Sequence, residues 1–179
     1  MRLRNFEINK DGSIVVIGEV DYVRNEMYGT SQQSVRHFGN MVMTKIGADG
    51  KLIWEKKLPK NQACISNSVA SVESLGMFYA KGAGSHYILF VDNRKNANLT
   101  LDQPAVPHKG GLGGYLTAYK VDDATGNVEK HLILDLTNIN GQKAYQFRVN
   151  RILEVIDKTF ALEVYIKKKQ DMMVRMKIK

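Results

Sequence analysis

A single cysteine, Cys64, excludes an internal disulfide and a cysteine-based metal cluster. There is no run of about 18 apolar residues, the length a membrane helix requires, so no membrane span is expected. The opening stretch MRLRNFEINKDG has no apolar segment of the signal-peptide kind, and the compartment is left unassigned. No serine stands in a G-x-S-x-G context, and no D-x-[DN]-x-[DN]-G calcium loop occurs. The histidines His37, His86, His108 and His131 are never spaced as H-x-H or H-x-x-x-H. Gly110 to Gly114 is followed by a strand pattern at Tyr115, whereas a phosphate loop needs a helix N-terminus there. These absences leave no catalytic constellation, no metal site and no cofactor in the reading.

Charge is present in excess of one sign: the net charge is +8. It is dispersed. The densest cluster, Lys167 to Lys169, lies between two strand patterns and reads as a solvated turn. No aromatic interleaves the basic residues of Met172 to Lys179, as a base-stacking surface would require. Nucleic acid is therefore not expected as a partner.

The clearest structural signal is Gly39 to Pro59. Asp49-Gly50 supplies turn chemistry between two runs that alternate at period two. Trp54, the only tryptophan, is expected in the core between sheets. Upstream, Phe6 to Asn9, the turn Lys10 to Gly12 and Ser13 to Tyr22 read as a strand pair. The apolar run of the second strand suits burial on both faces. Asn25 to Phe38 is polar without a period and reads as a long loop. The order then recurs. Strands are expected at Met77–Ala80, His86–Asn93, Tyr115–Val121 and Val128–Asp135, then at Phe147–Val155, Phe160–Lys167 and Met172–Lys179. The connectors Lys60 to Ser71, Arg94 to Gly114 and Thr137 to Gln142 read as loops. Lys45-Ile46, Lys120-Val121 and Lys177-Ile178 mark the third strand of each copy.

The first copy resembles the repeat of bacterial β-propeller proteins with kelch-like or pyrroloquinoline-quinone-type blades. The resemblance is carried by Asp11-Gly12, Ile14 to Gly18, Thr44 to Ile46, and Asp49-Gly50 to Trp54. The second copy departs at Glu129-Lys130-His131, and the third has no fourth strand. The resemblance implies an all-β fold of about three four-stranded antiparallel blades, the last lacking its outer strand. The whole chain, 1–179, is then one propeller-like domain, with blades at approximately 1–60, 61–140 and 141–179. Propellers close with about four to eight blades. The chain is accordingly expected to be a C-terminal piece of a longer propeller, to be completed by a homodimer through its terminal blades, or to pack as an open structure.

Propellers host many activities, so the resemblance assigns none. The expected function is a non-catalytic binding or scaffold module for a protein or glycan partner. The alternative is a fragment of a propeller enzyme, a hydrolase or a quinone-dependent oxidoreductase. In a meander the long connections share one end, and rigidly held loops carry binding sites disproportionately. The candidate binding residues on that end are Tyr28, Arg36, His37, Arg94 and His108.

Overall fold

Asp49-Gly50 closes a hairpin, as its turn chemistry predicts. Gly50 adopts φ 79°, which costs glycine nothing and an L side chain a good deal. The computed structural model describes residues 1–28, 30–67, 72, 75–110, 113–142, 144–155, 159–166 and 170–177. The described residues form an all-β structure with a short 3-10 turn at Arg94–Asn96. The predicted turns at Asp157-Lys158 and Lys167 to Lys169 lie outside the described residues.

Three antiparallel meanders follow one another along the chain. In the first, β1 (Arg2–Ile8), β2 (Ile14–Tyr28), β3 (Ser31–Ile46) and β4 (Leu52–Leu58) pair in sequence order. β5 (Gln62–Ile65) pairs with the early half of β3 and so joins the first sheet. The second sheet is formed by β6 (Phe78–Gly82), β7 (Ser85–Asp92), β9 (Tyr115–Asp122) and β10 (Val128–Asp135). The intervening β8 (His108–Lys109) pairs parallel to β5, again on the first sheet. The third sheet is β11 (Ala144–Val155), β12 (Thr159–Ile166) and β13 (Gln170–Lys177). Among the described residues, no helix is long and apolar enough to cross a membrane.

The sheets stack through two cores. Val15, Ile17, Met41, Met43, Trp54 and Leu58 of the first sheet pack against Ile88, Phe90, Tyr119 and Val121 of the second. The other face of the second sheet, with Tyr87, Leu89, Val91, Leu116 and Ala118, packs on Ile152, Phe160, Leu162, Val164 and Met176 of the third. Every residue of β7 is buried, because apolar partners cover both of its faces.

Two expectations are corrected. Asn25 to Phe38 is not a loop: β2 and β3 continue past the sheet as a long ribbon, paired from Asp21↔Phe38 to Tyr28↔Ser31. Its cross-strand contacts are polar, so no apolar alternation announces it. Ser34 Oγ donates to Asn25 Oδ1 at 2.7 Å, and Arg36 forks onto Asp21 at 3.0 and 2.8 Å. β2 is also not covered on both faces. Val15 and Ile17 are buried, whereas Ile14 and Val16 on the opposite face are only partly so.

Candidate functional site

The ribbon, β5 and β8 together form a sheet extension that projects from the first meander. The connectors read as loops at Lys60 to Ser71 and Arg94 to Gly114 each contribute a strand to it. The registers Arg36↔Cys64, His37↔Ala63, Gln62↔His108 and Ala63↔Lys109 bring three of the predicted residues onto this one element.

Directly opposed residues share a face. His37, Ala63 and Lys109 therefore look one way, while Phe38, Gln62 and His108 look the other. His37 and His108 do not converge. Among the described residues, no group of three or more His, Cys, Asp or Glu side chains is placed to hold a metal ion. Tyr28 sits at the ribbon's end opposite Ser31. Arg94 belongs elsewhere, against Asp135 at 3.2 Å, Thr137 at 3.3 Å and the ring of Tyr115 at 5.4 Å, all of the second sheet or its exit.

The outward face carries a groove of about 410 Å³ lined by Gln33, Val35, Ala63, Cys64, Ile65, Lys109 and Gly110. Val35 and Ala63 are buried, while Ile65 is exposed. The floor is thus apolar, with one amide and one ammonium at its sides. Beside it Tyr22 and His37 stack with centroids 4.9 Å apart, and Glu26 holds His37 Nε2 at 2.8 Å. The Cys64 side chain packs with Phe38 and Leu75 on the inward face, and burial pushes its thiol's pKa up, with Arg36 pulling the other way. A thiol held protonated is a weak nucleophile. This arrangement can hold an extended apolar segment; it offers no paired nucleophile and base.

The inward face is fixed by a buried ionic cluster that the sequence reading missed. Lys60 is fully buried and lies 2.6 Å from Glu19, also fully buried. Lys60 Nζ donates to Gln62 Oε1 at 2.8 Å, and Arg4 Nε donates to Glu19 Oε2 at 2.6 Å. Burial pushes Lys60 down to about 8 against the pull of Glu19. Hydrogen bonds from Arg36, together with the charges of Arg4 and Arg2, hold the Asp21 carboxyl below the usual range. Arg4, Arg36 and Lys60 all lie within cation–π distance of the Phe38 ring, at 5.8, 5.0 and 5.4 Å. Gln62 also reaches the second sheet, where its amide donates to the Val91 carbonyl at 2.7 Å. The extension is therefore clamped to both sheets rather than hanging from one. The only local hint of this cluster was a glutamate inside the apolar run SIVVIGEV.

A second polar chain ties the sheets together at their short-turn end. The Tyr79 hydroxyl donates to Glu7 at 2.5 Å and lies 2.9 Å from His86 Nδ1. His86 Nε2 lies 2.8 Å from Asp123 Oδ1, and Lys45 Nζ donates to Asp123 Oδ2 at 2.7 Å. His86 is fully buried. Burial works against the Asp123 charge, yet the bonds with Lys45 and His86 hold its carboxyl below the usual range. The marker lysine of the first copy thus serves the contact between sheets.

His108 is buried on β8 and its Nε2 has no hydrogen-bond partner. Burial lowers its pKa below the ordinary 6.5, with Asp92 opposing. As pH falls through 6.5, the unfolded chain takes up this proton before the folded chain does. Stability that is complete above pH 6.5 is then lost on acidification. His108→Gln should flatten the fall of urea-unfolding free energy below pH 6.5. Parallel pH profiles for the two proteins would refute this assignment.

Comparison with family models, with curated proteins and with solved structures finds no match, so the reading of this chain rests on its own geometry.

Proposed function

We propose that this chain is a non-catalytic recognition module of propeller type, and that its sheet extension binds an extended segment of a protein partner. The propeller reading draws support from the stacking of successive meanders face to face, with the strand order of the first repeated in the second. The recognition reading rests on one observation: the apolar-floored groove between Gln33 and Lys109 lies beside β8, a two-residue strand at the end of the sheet's strand order. Strand addition at such an edge supplies main-chain hydrogen bonds, and a neighbouring groove selects side chains. Lys109 favours an acidic residue in the incoming segment. The Tyr22–His37 stack offers a flat surface next to it.

Peptides selected by display on the full chain should bind the wild type. Ile65→Glu places a carboxylate at the groove's rim and should weaken that binding by about tenfold or more, with an unchanged circular dichroism spectrum. Selected peptides that bind Ile65→Glu as well as wild type would refute the site. An array on which glycans bind and peptides do not would refute the partner class.

A further inference from the structure

Among the described residues, the outer face of the first sheet carries an extended run of apolar side chains. Its residues fall in three rungs that cross all four strands. They are Ile8, Ile14, Ile46 and Leu52; then Phe6, Val16, Thr44 and Glu55; then Leu3, Gly18, Val42 and Lys57. The alternate rungs, with Val15, Ile17, Met41 and Met43, face the second sheet. On the outer rungs Leu3 is 64 %, Phe6 53 %, Ile8 65 % and Leu52 62 % exposed. Contiguous apolar surface of this kind marks an interaction surface.

We infer that this face docks on the same face of a second copy of the chain, about a two-fold axis. The only charges on the three rungs are Glu55 and Lys57. They are of opposite sign, two residues apart on β4, and both exposed. A two-fold axis lying between the sheets and perpendicular to the strands sets two β4 strands antiparallel, one above the other. Glu55 of each copy then faces Lys57 of the other, and Phe6 faces Leu3. The surface is complementary to itself, which is what an isologous interface requires.

The other candidate, the outer face of the third sheet, fits poorly. Glu163, Asp171 and Arg175 lie on the side away from its core, and Arg151 donates to Glu163 there. Seating these charges on Leu3, Phe6 and Ile8 would bury them without new partners, which is costly. The inference is independent of the groove and of any peptide bound there.

Sedimentation of the full chain over a wide concentration range tests the interface. The wild type should run at twice the monomer mass. Phe6→Glu should run as monomer, with its circular dichroism spectrum and melting temperature retained. Glu55→Lys and Lys57→Glu should each weaken the dimer about tenfold, and the two together should restore it. Three results would overturn the inference. They are a monomeric wild type, a combined variant no better than the single ones, or dissociation by Met173→Glu on the third sheet as well as by Phe6→Glu. The last would indicate head-to-tail closure into a ring.

Discussion

Lys60→Ala is expected to destabilise the fold by about 3–5 kcal/mol, measured as the change in urea-unfolding free energy. Removing the ammonium leaves the Glu19 carboxylate buried, with Arg4 as its remaining charged partner. It also takes away one of the donors to Gln62, whose amide ties the extension to Val91. Replacing both members of the pair, Lys60→Met with Glu19→Leu, should recover a large part of the loss, since no uncompensated charge then stays in the core. A single variant within about 1 kcal/mol of wild type would show that the cluster does not hold the extension.

The same lysine has a pH signature. In the folded chain it gives up its proton near pH 8, and in the unfolded chain only near 10.5. Between these values the unfolded state binds more protons, so the Lys60 contribution to stability grows as pH rises and shrinks as pH falls back through about 8. Cys64 and Tyr79 push the other way at high pH, because burial raises both groups. The difference between wild type and Lys60→Met therefore isolates the lysine. It should change in favour of wild type from pH 8 upward.

Trp54→Ala should cost about 3–5 kcal/mol, by cavity formation at the contact between the first and second sheets. The indole N–H donates to the Asp123 carbonyl at 3.0 Å, and the ring meets His86 edge-on at 6.4 Å between centroids. Gly126 makes this approach possible, since a Cβ there would fall 2.7 Å from the indole ring. Trp54→Phe keeps most of the packing and loses the donor, so it should cost about 1–2 kcal/mol. Equal losses for the two variants would assign the contribution to the hydrogen bond rather than to packing between sheets.

What could be read in the sequence was what is local. Asp49-Gly50 needs only its own backbone to specify a turn, and the burial of Trp54 follows from a large ring on a strand face. The recurrence of strand order was visible for the same reason. The ribbon was not, because Asn25–Ser34, Asp21–Arg36 and Glu26–His37 hold it by polar pairs that look like loop composition. Glu19–Lys60 and His86–Asp123 join residues distant in the chain, and neither has a spacing that marks it in advance. The outer face of the first sheet misled in a different way. Apolar residues at both parities of β2 read as burial on two sides, whereas Ile14 and Val16 on one side are only partly buried. Of the predicted binding residues, Arg36, His37 and His108 share one sheet extension on two faces of it, and Tyr28 stands at its end. The groove itself is built from Val35, Ala63 and Ile65, ordinary apolar residues that become a feature only once β5 joins β3.

The second sheet lies between the other two, and amide hydrogen exchange followed by mass spectrometry reads this directly. The amides of Ser85 to Asp92, buried along the whole strand, should be the slowest in the chain and should exchange only through global unfolding. The edge strands Leu52–Leu58 and Gln170–Lys177 should exchange faster. Exchange of the 85–92 segment as fast as that of these edges would contradict the stacked arrangement.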